Sequence, residues 1–220
     1  MNNSLQEYLN FANKLADAAG ITSMEYFRTS LSIDNKSDES PVTIADKNTE
    51  LKIRSLIENE YPDHGILGEE FDSVNPDAEF IWVIDPIDGT RSYIAGHKDF
   101  GNLISLTQNK KPIIGIINCP AHDERWVGAK NQSSTVNQQT VNTSSVTAIE
   151  DAYIFTSGLY FDEPHLRNAV DKIKNKVRYF RYGGDCYMYG MVASGLIDIV
   201  IEDTLKAHDY MALINVLEGA

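Results

Sequence analysis

The segment Trp82-Val83-Ile84-Asp85-Pro86-Ile87-Asp88-Gly89-Thr90 constrains this chain more than any other stretch. Its apolar run reads as a strand, and that strand ends in two carboxylates three residues apart, followed by a Gly-Thr turn. A carboxylate at a strand end and a second on the next turn can share one hard divalent cation, with Pro86 stiffening the loop between them. Gly89 and Thr90 add backbone N–H groups at a helix start, a natural seat for phosphate. Taken alone, Asp-Pro-x-Asp-Gly also reads as an ordinary turn with solvated acids.

The chain's charge bears on which of these holds. Nineteen Lys and Arg stand against 32 Asp and Glu, a formal charge of −13. Such a field repels polyanions, which excludes nucleic acid and anionic membrane surfaces as partners. An anionic small-molecule substrate would need bound metal to replace repulsion by local positive charge. Cys119 and Cys186 form neither a disulfide framework nor a zinc pattern and read as small buried apolar residues in a reducing compartment. The N-terminal stretch MNNSLQEYLNFANKLADAAG has no basic region leading into an apolar one, and no run reaches about 18 apolar residues. The reading is a cytoplasmic protein with no membrane partner. With 42% hydrophobic residues over 220 positions the chain can build a core.

Periodicity orders the rest. Ser4 and Glu7 form a capping box before a helical stripe of Leu5, Tyr8, Leu9, Ala12, Leu15, Ala16 and Ala19. Thr43 can cap a second helix, with Asp46 in its first turn, running to about Glu60. Short apolar or alternating runs at Ile66–Leu67, Phe80–Ile84, Asn102–Thr107, Ile113–Asn118 and around Trp126–Gly128 read as strands, the middle pair joined by a hairpin over Gln108–Pro112. Residues 131–147 read as exposed loop or edge structure. Beyond them come strand Ala152–Thr156, helix Glu163–Asn175, strand Val177–Phe180, helix Gly184–Ala193, strand Ile197–Ile201 and helix Asp209–Leu217, an α/β order. The change near residue 150 divides the chain into an α+β part, 1–150, and an α/β part, 151–220.

Acids from remote segments also fall at element ends, where α/β sites gather: Glu69 closes an apolar run and Asp209 opens the last helix. Each has a plainer reading, Glu69 as a solvated charge and Asp209 as a first-turn acid. The spacing from Asp85 excludes an EF-hand. It is one residue too long for the Asp-x-Asp-Gly-Thr motif of haloacid-dehalogenase phosphatases. His64, His97, His122, His165 and His208 show no short-range ligand spacing, and no catalytic histidine is assigned.

Together, Gly68-Glu69-Glu70, Asp85-Pro86-Ile87-Asp88-Gly89-Thr90 and Asp209 resemble the three signatures of the inositol monophosphatase superfamily, and Lys36 through Asp46 resembles its N-terminal segment. The resemblance implies a layered αβαβα sandwich and Mg2+-dependent hydrolysis of a small-molecule phosphate monoester, with two or three ions per site. It also implies a homodimer. Its metal ligands would be Glu69, Asp85, Asp88, Asp209 and the carbonyl of Ile87, its phosphate seat Asp88, Gly89 and Thr90. Asp46 and Thr90, with Glu69, would orient the attacking water; without the family, Asp46 is only a first-turn helix acid.

Three features resemble the histidinol-phosphate phosphatase branch. Arg91 follows the Gly-Thr, although it also reads as a surface charge. Arg181-Tyr182-Gly183-Gly184-Asp185-Cys186 places a carboxylate where inositol-type members have a small residue. Glu202 closes the strand Ile197–Ile201, seven residues before Asp209, and is placed like the superfamily's substrate-contacting acid. Asp185 and Glu202 could pair with the cationic amine and imidazole of histidinol. Asp185 also reads as a helix N-cap, and Arg181 as the partner of a neighbouring acid. The expectation is histidinol phosphate hydrolysis; inositol monophosphatase or broad-specificity sugar or nucleotide phosphatase is the alternative, and a catalytically degenerate metal- or anion-binding protein the alternative from another class. His208 replaces the family's more usual aromatic residue. In that family the last helix leads into a further glycine-rich strand, so the C-terminal end is expected to be missing from a sequence that stops at Glu218-Gly219-Ala220.

Overall fold

A computed structural model describes residues 4–35, 41–158 and 163–220. The first part of the family-like N-terminal segment, Lys36–Ser40, and the Ser4 side chain of the expected capping box therefore lie outside the described residues.

Helix α1 (Ser4–Tyr26) turns Phe11, Ala12, Leu15, Ala16 and Ala19 into the core. Residues Ile33–Asn35 (β1) and Pro41–Thr43 (β2) pair antiparallel before α2 (Ile44–Glu60). Thr43 caps α2 as its sequence predicts: its hydroxyl accepts from Ala45 N at 3.1 Å, and Asp46 Oδ2 accepts from Thr43 N at 2.8 Å. α2 buries Ile53 and Ile57 beside α1.

Against this helix pair lies a seven-stranded sheet in chain order: β3 (Gly65–Gly68), β4 (Phe80–Asp88), β5 (Gly101–Gln108), β6 (Lys111–Cys119), β7 (Glu124–Ala129), β8 (Thr135–Val136) and β9 (Gln139–Thr140). Only β3 and β4 are parallel neighbours. The β5–β6 hairpin turns on Asn109 and Lys110 at φ 51° and 63°, the left-handed pair that a two-residue hairpin loop requires. Trp82, Ile84, Ile104, Leu106, Ile114 and Ile116 face α1 and α2, while Leu103, Ile117 and Trp126 face the other way. Central strands buried on both faces explain why these runs are nearly continuous in apolar residues.

After Thr90–Ile94 (α3) and the sheet, the chain builds three parallel strands, β10 (Tyr153–Thr156), β11 (Tyr179–Tyr182) and β12 (Ile199–Val200), in the order β11-β10-β12. Helix α4 (Pro164–Lys174) is the first crossover and α5 (Tyr187–Ala193) the second; α6 (Ala207–Glu218) ends the chain. β11 and α5 begin later than the periodicity places them. Gly183, Gly184 and Asp185 have φ of 90°, 128° and 41°, none of them right-handed helical, so α5 cannot start at Gly184. β12 is likewise shorter than Ile197–Ile201, and α6 starts two residues before Asp209. No helix among the described residues is long and apolar enough to cross a membrane.

α5 and α6 pack on the second face of the large sheet, giving successive layers of helix pair, sheet, helix pair and small sheet. The approach of α6 is set by two glycines. A Cβ on Gly115 would lie 2.0 Å from Ala212 O, and one on Gly128 would lie 2.2 Å from Asn215 O. The helix backbone therefore rests on the sheet backbone, which fixes where its first turn, and Asp209 with it, emerges. Gly115→Ala should cost about 1–3 kcal/mol of stability by overpacking, read as a fall of several degrees in the thermal midpoint of the chelator-treated protein.

Candidate active site

The site grows from a fault in the sheet. Along β4, Asp85 pairs with Leu103 but Asp88 pairs with Gly101, so Pro86 and Ile87 bulge opposite one residue, Asn102. The bulge turns Asp85 and Asp88 toward the same space instead of opposite faces. Asp85 Oδ1 accepts from Ile87 N at 3.0 Å, closing the bulge on itself. Gly89 then takes φ 82° and α3 begins at Thr90. The Thr90 hydroxyl lies 3.1 Å from Ile87 O and 3.4 Å from Asp46 Oδ1.

Asp209 arrives from the first turn of α6, with Oδ2 accepting from Lys206 N at 2.6 Å. Asp88 Oδ2 accepts from Cys186 N at 2.6 Å, tying the bulge to the start of α5. Asp85, buried, and Asp88 and Asp209, half-buried, bring one carboxylate oxygen each to within 4.8 Å of one another. All three donors are hard oxygens, the set that divalent cations such as Mg2+ or Ca2+ take.

Electrostatics gives the same answer. Burial pushes the Asp85 carboxyl well above the usual range, and the charges that add to it come from Glu69, Asp88, Asp209 and Asp46, all acids. Burial, then Asp185, Asp209 and Glu202, raise Asp88, against the lowering bond from Cys186. Asp209 is raised by burial, opposed by its bond from Lys206 N and by His208, whose Nε2 lies 3.5 Å from Asp209 Oδ1. His208 thus sits beside the carboxylate it precedes. Burial also raises Asp46, against the bonds from Thr43. Acids crowded and dried in this way ionise together only around a cation.

Glu69 stands next to the trio, and after burial it is the largest influence on Asp85. Its loop is held by a pair on α2 that sequence reasoning missed. Arg54 Nε donates to Glu50 Oε1 at 2.7 Å, Glu50 Oε2 accepts from Glu70 N at 2.8 Å, and an Arg54 amino group donates to Phe71 O at 2.9 Å. Glu50 and Arg54 share the helical face of Ile53 and Ile57, a signal that was legible.

The remaining predicted residues divide. Asp185 does not cap α5, whose N-cap is Cys186 with no side-chain bond. Instead its Oδ2 accepts from Ser92 Oγ at 2.5 Å and it covers Gly89, where a Cβ would lie 2.8 Å from Asp185 Cγ. Glu202 Oε2 accepts from Tyr189 Oη at 2.5 Å; burial raises its carboxyl, the bonds from Ser157 and Tyr189 oppose that, and Asp185 and Asp209 add to it. Arg181 is exposed and lies over the Phe155 ring at 5.4 Å, and Arg91 is exposed on α3. Ser92 and Tyr189, which hold the two outer acids, have no sequence pattern that marks them.

A bulged strand end, three converging acids and a Gly-Thr helix start in a layered α/β fold form a site of the kind that metal-dependent phosphatases use. The sequence pattern of the inositol monophosphatase family matches residues 4–220, and the chain belongs to that family. A chloroplastic bifunctional phosphatase from Arabidopsis thaliana is 40% identical over 98% of this chain, which spans 63% of that protein's length. A histidinol-phosphatase from Chlorobaculum parvum is 35% identical, the alignment covering 96% of this chain and 83% of that one. A solved inositol monophosphatase from Zymomonas mobilis superposes with a TM-score of 0.89 at 41% identity, covering 99% of this chain and 85% of that one.

The raised carboxyls fix a pH dependence. The folded values of Asp85, Asp88 and Asp209 lie above the unfolded one of about 3.9, so the native state binds more protons and loses stability as pH rises through that interval. The thermal midpoint in chelator should therefore fall as pH rises above about 4, less steeply in Asp85→Asn. Added Mg2+ should raise the midpoint more at pH 8 than at pH 5; an equal rise at both would contradict this reading of the acids.

Proposed function

We propose that this chain hydrolyses a phosphate monoester whose alcohol carries a cationic amine, histidinol phosphate being the substrate that fits best, with Mg2+ as the metal. The observation that carries the substrate reading is Asp185. Its carboxylate lies over Gly89 in the Gly-Thr turn, and both it and Glu202 act on Asp88. Two acids beyond the metal-holding set suit an ammonium group on the leaving alcohol, making charge-assisted contacts that a neutral polyol does not require. The name of the Chlorobaculum relative supports the same substrate.

In this reading Asp85, Asp88, Asp209, Glu69 and the Ile87 carbonyl hold the metal. When bound, the metal polarises a phosphoryl oxygen and lowers the pKa of a water. The chain's own residues do the rest. Backbone N–H groups at Gly89 and Thr90 receive phosphate oxygens beside Asp88. Thr43 N and Oγ occupy Asp46 Oδ2, leaving Oδ1 toward the Thr90 hydroxyl, so Asp46 can take that hydroxyl's proton while the Thr90 oxygen accepts from the attacking water. Arg91 and Arg181 serve as outer substrate contacts, and the active assembly is a homodimer.

A second reading is hydrolysis of a neutral polyol phosphate, favoured by the Zymomonas structure described as an inositol monophosphatase. Phosphate release from histidinol phosphate and inositol 1-phosphate, with Mg2+ and with EDTA, separates the two. We expect release only with metal and a preference for histidinol phosphate. Asp185→Asn should cost roughly 10- to 100-fold on histidinol phosphate, the worth of a hydrogen bond to a charged group, and far less on inositol phosphate. Equal losses would remove the amine role of Asp185, and metal binding without any release would favour a degenerate binding protein.

A further inference from the structure

We infer that Asn102 is a positioning residue for the metal-holding bulge and acts through the carbonyl of Pro86. This rests on the metal reading of Asp85 and Asp88, not on the choice of substrate.

Asn102 is fully buried on β5, directly opposite Pro86 and Ile87, the two residues that the bulge sets against one. Its Nδ2 donates to Pro86 O at 2.7 Å. Pro86 has no N–H, so the amide nitrogen and not the oxygen must face it. The amide oxygen accepts from Asn118 Nδ2 at 2.8 Å, Asn118 being its directly paired neighbour on β6. Asn118 in turn accepts from Arg125 Nε at 2.8 Å on β7. Every bond in this row points the same way, from the Arg125 guanidinium to the carbonyl between Asp85 and Ile87, and such rows strengthen one another in a dry interior.

The row is anchored at its sides. Asn102 Nδ2 also reaches Ser23 Oγ at 3.3 Å, and Asn118 Nδ2 reaches Ala16 O at 3.3 Å, both on α1. Gly20 allows this approach, since a Cβ there would lie 3.1 Å from Asn118 Nδ2. Arg125 finishes on Asp17 Oδ1 at 2.7 Å. Two buried asparagines and a helix are thereby committed to one carbonyl. That carbonyl belongs to the peptide whose orientation sets the angle between the Asp85 and Asp88 side chains. A bulge disrupts the ladder locally and leaves backbone groups without ladder partners, and the Asn102 side chain supplies one to Pro86 O.

The test compares Asn102→Leu with Thr107→Val. Thr107, on the same strand, is also buried and donates to a β4 carbonyl, Ile81 O, at 3.2 Å, but away from the bulge. Both variants lose a buried bond between β4 and β5. Calorimetry of Mg2+ binding to the metal-free proteins, without substrate, should show about tenfold weaker binding for Asn102→Leu, as for other residues that orient metal ligands. Thr107→Val should stay within about twofold; it also loses less thermal stability, since Asn102→Leu breaks the bonds to Ser23 and Asn118 as well. If Asn102→Leu does not fold, Asn102→Ser, which keeps a shorter donor, should show the same split at smaller size. Unchanged Mg2+ affinity in the Asn102 variant, or equal loss in both proteins, overturns the positioning role alone. No Mg2+ binding by the unmodified chain overturns this role and the metal reading with it.

Discussion

Mutual repulsion among dried carboxylates is the constraint on which the rest of this structure depends. Asp85, Asp88 and Asp209 converge while Glu69, Asp46, Asp185 and Glu202 add negative charge around them. In a chain already carrying −13, such a cluster opposes folding unless protons or a cation neutralise it. The fold therefore holds the acids from outside. Backbone N–H groups of Ile87, Cys186 and Lys206 each bond one of the three, which fixes direction without using up every lone pair.

The layers serve that arrangement. The large sheet delivers Asp85 and Asp88 at one bulged strand end, and the flush packing of α6 on Gly115 and Gly128 brings Asp209 to meet them. α2 contributes twice, through Asp46 in its capping box and through the Glu50–Arg54 pair that pins the loop of Glu69. The small sheet and α5 add Asp185 and Glu202, two further acids that act on Asp88 from outside the trio.

Much of this was legible in the sequence because local rules govern it. The cap at Thr43, the hairpin at Asn109-Lys110, the buried central strands and the acids at element ends all follow from short patterns. What escaped depends on partners distant in the chain. Ser92 and Asp185 are 93 positions apart, and Ser23 and Asn102 are 79 apart. The late start of α5 escaped for another reason: Asp185 adopts a left-handed φ, which two preceding glycines do not predict of a non-glycine residue. That conformation places the Asp185 carboxylate over Gly89, so the late helix start and the position of this acid are one fact.

The central claim is that burial and mutual repulsion make these acids hold protons more tightly than free carboxylates until a cation binds. Calorimetric titration of the metal-free protein with Mg2+, near pH 6 in two buffers of different ionisation enthalpy, tests it most directly. The account predicts heats that differ between the buffers, because binding expels protons from Asp85, Asp88 and Asp209. Equal heats in both buffers would mean that the carboxylates are already ionised, and would contradict it.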